Sequence, residues 1–176
     1  MAAEFQRVAG LDPARVEPTT DFEGFFARES TTLFRRLWLV TRDREAAEDL
    51  VQEAFIVLLE RWNRVGAMDD PTGYLYRVAF NAWRRRSGRA ARAARRIAAI
   101  TTEPRDDFGA AEARTVLGSA LDVLTPRQRA ALVLTELVGM SSDDAARLLK
   151  VRAVTVRVLA SQGRAALRAR IGGNDA

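Results

Sequence analysis

The chain has 176 residues with 28 basic and 23 acidic side chains, a formal net charge of +5, and it contains neither cysteine nor histidine. These absences exclude disulfides, thiol nucleophiles and zinc sites built on thiolate or imidazole ligands, so an enzyme would have to use carboxylates, hydroxyls and arginine. No stretch has the apolar core of a signal peptide or the roughly 18 apolar residues of a membrane span, which predicts a soluble, cytoplasmic protein.

The first half of the chain predicts three helices after a loose leader at residues 1–20. A capping box of Thr20 and Glu23 starts the first helix, and Asp43 caps the second. Pro71, preceded by an aspartate, starts the third, because proline is favoured at the first helical position. Apolar residues recur at helical spacing in all three segments, so the fold class is predicted to be all-α.

The second predicted helix is strongly acidic. Its polar residues share the face opposite the apolar stripe and are Glu45, Glu48, Asp49, Gln52 and Glu53. Three interpretations compete: a solvated face, a docking face for a basic partner, and a carboxylate metal site. A metal site is disfavoured, because all these carboxylates lie on one helix and no second helix offers facing ligands. An acidic face in a basic protein fits a protein partner, since it would repel nucleic acid.

The third predicted helix carries aromatic and basic residues side by side. One face presents Tyr74, Arg77, Asn81, Arg84 and Arg85, and another is lined by Tyr76, Phe80 and Trp83. Aromatic rings beside arginines can stack unpaired bases while the arginines neutralise the phosphate backbone. The alternative interpretation is that Phe80 and Trp83 are simply core residues.

A linker is predicted at residues 101–111, where Pro104 and two adjacent aspartates interrupt the helical pattern. It separates residues 21–100 from residues 112–171, and a short tail follows at residues 172–176. The predicted architecture is therefore two small helical domains joined by a linker.

The second domain ends in a helix-turn-helix pattern. Ser141 and Asp144 cap a short helix, and a turn at residues 150–152 leads into the last helix. In this motif the second helix enters the major groove of DNA. If its apolar residues are buried, its outward face carries Arg152, Thr155, Arg157, Val158, Ser161 and Gln162. A plain helical hairpin with a solvated basic face is the alternative.

These three surfaces, in this order, resemble a bacterial RNA polymerase sigma factor of the extracytoplasmic-function (ECF) type, which retains only regions 2 and 4. Residues 47–55 match the family's core-polymerase-binding helix nearly letter for letter. Residues 73–81 are similar to the segment that recognises and melts the minus-ten promoter element. Residues 124–129, with the hairpin that follows, resemble the region that reads the minus-thirty-five element.

The resemblance implies a role for each surface. The residues that bind core polymerase would be Glu48, Asp49, Gln52, Glu53 and Phe55. Minus-ten DNA would be contacted by Tyr74, Tyr76, Arg77, Asn81, Arg84 and Arg85, and the loop Val65–Asp70 would hold a flipped base. Minus-thirty-five DNA would be contacted by Arg127, Arg152, Thr155, Arg157, Val158, Ser161 and Gln162.

The chain also departs from the family pattern. Lys150 stands in the helix-turn-helix turn where the family usually has glycine, so it must tolerate a conformation that favours glycine. Residues 153–155 read Ala-Val-Thr where Pro-Gly-Thr is common. These changes are compatible with the fold and bear on the minus-thirty-five specificity.

The sequence therefore predicts a sigma factor that binds bacterial core RNA polymerase, directs it to specific promoters and helps to melt minus-ten DNA. Binding to unpaired bases would offset their unstacking, which costs a few kcal/mol per flipped base. No catalytic residue, metal or cofactor is predicted, and the resemblance implies an anti-sigma factor as a further partner. The alternatives are a stand-alone dimeric helix-turn-helix regulator, a carboxylate-dependent metal enzyme and a protein-binding helical scaffold.

Overall fold

The computed structural model describes residues 21–97 and 120–172. Every regular element within these two segments is a helix, which confirms the predicted all-α class. The predicted leader, the predicted linker and residues 173–176 of the tail lie outside the described residues. None of the described helices is both long enough and apolar enough to cross a membrane.

The amino-terminal segment folds into four helices: α1 (Phe22–Thr41), α2 (Arg44–Leu59), the single turn α3 (Trp62–Val65) and α4 (Pro71–Ile97). Two of them begin where the sequence predicts. A carboxylate oxygen of Asp43 accepts a hydrogen bond from the amide of Ala46 (3.0 Å) at the start of α2. A carboxylate oxygen of Asp70 accepts one from the amide of Gly73 (2.7 Å) at the start of α4.

The start of α1 differs from the prediction. Its N-cap is Asp21, whose two carboxylate oxygens accept hydrogen bonds from the amides of Glu23 (3.1 Å) and Gly24 (3.2 Å). The predicted cap at Thr20, a residue outside the described segments, was therefore wrong. Aspartate is the stronger cap, because it satisfies two unpaired amides and places a negative charge at the amino end of the helix.

α1, α2 and α4 pack around an apolar core. Its fully buried members include Leu33, Leu37, Leu50, Leu58 and Phe80. Near α3 the rings of Phe25 and Trp62 lie 5.1 Å apart between their centroids, which extends the core with aromatic contacts. Trp83 is also buried and contacts Phe80 edge to face. Of the two interpretations of this aromatic stripe, the core interpretation is correct for Phe80 and Trp83.

The carboxyl-terminal segment contains α5 (Pro126–Leu132), α6 (Ser142–Leu149) and α7 (Ala153–Gly172). Thr125 and Gln128 form a reciprocal capping box, and the hydroxyl of Ser141 accepts a hydrogen bond from the amide of Asp144 (3.1 Å). α6, the turn and α7 form the predicted helix-turn-helix. Lys150 in the turn has a φ of 54°, the left-handed conformation that disfavours any residue with a Cβ atom.

A π-helical turn at Val133–Leu137 continues α5. In this turn the amide of Val138 donates to the carbonyl oxygen of Val133 (3.0 Å), five residues back. Leu137, the last residue of this turn, is 48% exposed, whereas Val133 and Leu134 at its start are buried. π turns of this kind occur frequently at functional sites.

Arginines join the two helical domains to each other. Arg36 of α1 donates a hydrogen bond to the carbonyl oxygen of Leu137 (2.6 Å). Arg129 of α5 is buried and donates one to the carbonyl oxygen of Val40 near the end of α1 (3.0 Å). α6 also lies against α4, and the buried apolar residues of both domains form one continuous cluster. The two domains are therefore packed together in this structure.

Candidate protein and nucleic-acid interfaces

α2 presents an acidic face to solvent while its apolar stripe is buried. The polar residues of this face are Glu45, Glu48, Asp49, Gln52 and Glu53. All are exposed except Glu53, which is half-buried. Nε of Arg44 pairs with a carboxylate oxygen of Glu48 (2.9 Å) one helical turn away. A row of carboxylates on a rigid helix, in a chain of positive net charge, suits a basic protein partner.

Phe55 does not belong to this acidic face. Its ring is 4% exposed and packs edge to face against Phe26, with the ring centroids 4.7 Å apart. The expectation that Phe55 contacts the polymerase is therefore corrected: it is a core residue that supports α2 from within. Ile56, by contrast, is 51% exposed and lies one turn beyond Gln52 on the outward face. Ile56 was not among the residues predicted for this face, although its spacing of four residues from Gln52 indicates that the two share it.

The basic face of α4 holds its residues in different environments. Arg77 and Arg85 are exposed, whereas Asn81 and Arg84 are half-buried. The amide oxygen of Asn81 accepts a hydrogen bond from Nη2 of Arg84 (3.4 Å). Nε of Arg84 is buried and has no hydrogen-bond partner among the described residues. Asn81 and Arg84 therefore form one polar pair on this face.

The two tyrosines of α4 differ in accessibility. Tyr74 is half-buried, and its hydroxyl accepts a hydrogen bond from Nη1 of Arg61 (3.0 Å). Tyr76 is fully buried, its hydroxyl accepts a hydrogen bond from Arg36, and that guanidinium lies 5.2 Å from the ring centroid. Burial raises the pKa of Tyr76, although the hydrogen bond from Arg36 opposes the shift. The expectation that Tyr76 contacts minus-ten DNA is therefore corrected, because its ring belongs to the core.

Four charged side chains join α2 to α4, and we call them the carboxylate–arginine cluster: Asp49, Glu53, Arg85 and Arg86. Arg86 donates from Nη1 to Asp49 (2.9 Å) and from Nη2 to Glu53 (3.1 Å). Nη2 of Arg85 donates to the other carboxylate oxygen of Glu53 (2.6 Å). The hydrogen bond to Asp49 raises the pKa of Arg86. Arg86 was not among the predicted site residues, because a single sequence does not show how α4 packs on α2.

α7 presents one side of its amino-terminal half to solvent. The residues exposed at the turn and on this side are Arg152, Val154, Arg157, Val158, Ser161 and Gln162, and Thr155 is half-buried. Val154 was missed in the sequence, although it lies one turn before Val158. On the opposite side Gly163 lets α7 approach α5 closely, since a Cβ atom there would lie 2.8 Å from Cδ1 of Leu132.

Polar residues of α5 border this exposed side of α7. Arg127 is exposed in the first turn of α5. Nε2 of Gln128 donates a hydrogen bond to the amide oxygen of Gln162 (3.5 Å). The side chain of Gln162 on α7 therefore contacts α5, and Arg127 lies beside this contact in the first turn of α5.

Asp144 of α6 lies within electrostatic reach of α4. Hydrogen bonds from Ser141 and then from Arg147 lower the pKa of Asp144, and the positive charge of Arg77 acts in the same direction. Arg77, to which the family resemblance gives a role at minus-ten DNA, is therefore close enough to the helix-turn-helix domain to act on a charge there. The basic face of α4 and the first helix of the motif are neighbours here.

Family profiles match both halves of the chain. The profile of sigma-70 region 2 matches residues 25–96, and that of sigma-70 region 4 matches residues 114–167. The first match covers α2 and α3 and nearly all of α1 and α4. The second match includes all of α5 and α6 and most of α7. It therefore contains the turn and most of the helix-turn-helix motif.

Named relatives are similar over most of the chain. The RNA polymerase sigma-E factor of Streptomyces avermitilis is 27% identical over 165 residues, which cover 88% of this chain and 87% of that protein. The sigma-E factor of Streptomyces coelicolor is 29% identical, with 88% of each chain covered. The ECF RNA polymerase sigma factor SigE of Mycolicibacterium smegmatis is 30% identical over 146 residues, which cover 77% of this chain and 56% of that protein.

Solved structures share the fold. The sigma factor RpoE of Bartonella quintana, in complex with the anti-sigma factor NepR, has a TM-score of 0.67 at 19% identity, with 86% of this chain and 97% of that chain covered. The PhyRSL–NepR complex of Sphingomonas has a TM-score of 0.56 at 24% identity, with 86% and 90% covered. At these identities the likeness concerns the fold alone.

Proposed function

The chain belongs to the sigma-70 family of RNA polymerase sigma factors, of the ECF type, and is a non-catalytic transcription initiation factor. On that premise we propose that it binds bacterial core RNA polymerase through α2, directs the enzyme to a set of promoters, and helps to melt minus-ten DNA through α4. The phosphodiester chemistry would belong to the polymerase, and the work would take place in the cytoplasm beside the chromosome.

The exposed acidic face of α2 is the observation that carries this proposal. Its carboxylates project from a helix whose opposite side is buried, so a larger basic partner can reach them without any change of fold. We add Ile56 to this docking surface, because an exposed apolar side chain beside charged ones provides the apolar centre that protein interfaces require. Glu48, Asp49, Gln52 and Glu53 would fix orientation by charge.

The basic face of α4 supports the DNA part of the proposal. Arg77, Arg84 and Arg85 offer cations for the backbone, and Asn81 offers a side-chain amide that can read a base edge. Tyr74 is half-buried and tied to Arg61, so it would reach a base from the start of the helix. Tyr76 is left out of this surface because it lies in the core.

The outward side of α7 would read the minus-thirty-five element. Arg152 and Arg157 can bridge guanine O6 and N7, and the exposed methyl groups of Val154 and Val158 can contact thymine methyl groups. Ser161 and Gln162 would add hydrogen bonds to the DNA, and the half-buried Thr155 would contribute less. Arg127, on α5, would contact a phosphate.

Binding both promoter elements at once would require the two domains to separate. Positions minus thirty-five and minus ten differ by about 25 base pairs, which is about 85 Å at roughly 3.4 Å per base pair. α4 and α6 are in contact in this structure, so the packed arrangement cannot span that distance. We propose that polymerase binding holds the domains apart, and that an anti-sigma protein like the one bound to the Bartonella relative favours the packed arrangement.

The test adds the purified full-length chain to core RNA polymerase with a library of genomic promoter fragments, and maps the transcript starts. Initiation at specific promoters supports the proposed function. Unchanged non-specific transcription by an active core contradicts it. Tight binding of the chain alone to a palindromic duplex would instead indicate a stand-alone dimeric regulator.

A further inference from the structure

We propose that the carboxylate–arginine cluster couples polymerase binding to DNA binding. While Asp49 and Glu53 hold Arg85 and Arg86, the acidic face of α2 and the basic face of α4 mask each other. A basic partner that takes the carboxylates releases the arginines, which then become available to phosphates. This inference rests on the proposed function, since it concerns the same two surfaces.

The geometry places both surfaces in one cluster. Glu53 uses both of its carboxylate oxygens on arginines of α4, and Asp49 uses one. These two acids belong to the face that would meet the polymerase, while Arg85 and Arg86 continue the basic face of α4. Because two negative and two positive charges cancel within the cluster, the free chain displays less charge on each surface than its sequence suggests.

The cluster is exposed enough to exchange partners. The relative solvent exposure of its four side chains lies between 33% and 54%. Ion pairs at such exposed positions are individually weak because water screens them. A cation that approaches Glu53 is repelled by Arg85 and Arg86 in their present positions. DNA phosphates attract the same two arginines. Polymerase binding at α2 therefore favours DNA binding at α4, and DNA binding favours polymerase binding in turn. The coupling free energy must be the same in both directions.

The rest of the acidic face offers a matched control. Glu45 and Glu48 lie on the same helix, and Glu48 pairs with Arg44 within α2 rather than with α4. Neutralising Glu45 and Glu48 raises the net charge by the same amount as neutralising Asp49 and Glu53. A difference between the two double variants therefore reports the release of Arg85 and Arg86 and excludes a general change of charge.

The experiment measures binding of the full-length chain to a single-stranded DNA of about 20 nucleotides and random sequence, without polymerase, over a range of salt concentrations. We expect the variant Asp49→Asn with Glu53→Gln to bind about fivefold more tightly than Glu45→Gln with Glu48→Gln. Two extra phosphate contacts should also steepen the slope of log K against log salt by about 1.4, at roughly 0.7 per contact on a single strand. Equal affinities and equal slopes for the two variants would overturn the proposal.

A second set of variants removes the arginines. In a chain carrying Arg85→Gln and Arg86→Gln, neutralising Asp49 and Glu53 should have no more effect on DNA affinity than the control substitutions, because no arginine remains to be released. A fivefold advantage that persists in this background would refute the coupling. All substitutions replace a charged group by a neutral one at exposed or half-buried positions, and thermal unfolding checks that each variant folds.

The result is separable from the test of the proposed function. This assay contains no polymerase, so equal binding by the two variants counts against the coupling alone. Absence of promoter-specific initiation, with the DNA-binding difference intact, would count against the proposed function and leave the masking of α4 by α2 in place.

Discussion

Arg129 and Val40 are 89 residues apart in the chain, and Nε of Arg129 donates a hydrogen bond to the carbonyl oxygen of Val40 over 3.0 Å. Nη1 of the same guanidinium donates to the carbonyl oxygens of Leu121 (3.2 Å) and Leu124 (2.7 Å). The side chain is 8% exposed, and burial lowers the pKa of its guanidinium. One buried cation therefore links the end of α1 to the helix-turn-helix domain.

Replacing Arg129 should loosen both the fold and the packing of the two domains. We expect Arg129→Met to lower the free energy of unfolding by about 3 kcal/mol, because three buried carbonyl oxygens lose charged hydrogen-bond donors. Urea unfolding measures the stability, and small-angle X-ray scattering should show a larger radius of gyration. Arg127→Met is the control, since Arg127 is exposed two residues earlier. Equal behaviour of the two variants would contradict this role of Arg129.

Reversing the charge of Asp49 should weaken polymerase binding without unfolding the chain. We expect Asp49→Arg to lower affinity for core RNA polymerase about tenfold, because it removes an attraction and adds a repulsion at the docking face. Fluorescence anisotropy with labelled protein measures the affinity. Asp143→Arg, at an exposed position of α6, makes the same change of charge elsewhere and should leave the affinity within about twofold. A tenfold loss for both variants would show a general effect of charge.

Asn81 should matter for DNA opening more than for polymerase binding. We expect Asn81→Ala to reduce open-complex formation about tenfold, since losing one or two base contacts costs about 1 to 1.5 kcal/mol, while polymerase affinity stays within about twofold. Permanganate reactivity of unpaired thymines reports opening. Asn63→Ala, an exposed asparagine on α3, is the control. Equal loss of opening and of polymerase binding would rule out a specific role in DNA opening.

Glycine at position 150 should stabilise the helix-turn-helix. Lys150 is exposed and has a φ of 54°, so Lys150→Gly removes the strain of a Cβ atom in the left-handed region. We expect a gain of about 1 kcal/mol and a rise in Tm of about 2 to 4 °C. Differential scanning calorimetry measures both.

Arg42 provides the contrast for that prediction. It has a φ of 59°, but its guanidinium lies 4.4 Å from the ring centroid of Trp38 and pairs with Asp122 (3.1 Å). Arg42→Gly should therefore destabilise the fold, because the loss of these side-chain contacts outweighs the removal of strain at a positive φ. If Lys150→Gly lowers Tm as Arg42→Gly does, backbone strain at position 150 is not the controlling factor.

The sequence was most informative where the controlling interactions are local. Pro71 begins α4, Asp43 caps α2, and Ser141 caps the short helix of the helix-turn-helix, as the sequence predicts. Each of these features depends on residues three or four positions apart. The outward faces of α2 and α7 follow from the same helical spacing, which is why most of their predicted residues are exposed.

Tertiary packing decided the rest of the site. Tyr76 and Phe55 lie within motifs that suggest binding, yet both are buried, because α1 covers one with Arg36 and the other with Phe26. The spacing of apolar residues predicts which side of a helix is buried, but it does so reliably only when that side is uniformly apolar. An aromatic residue at the edge of the stripe can face either way, and the neighbouring helix determines which.

By itself, the sequence determined the all-α class, the order of the helices and the three surfaces that carry the family resemblance, since these arise from interactions within a helical turn. Only the tertiary structure decided that Arg86 holds Asp49 and Glu53, and that Arg129 reaches Val40. Such contacts join residues more than 30 positions apart. They depend on how whole helices pack, and no local pattern of charge or hydrophobicity specifies that arrangement.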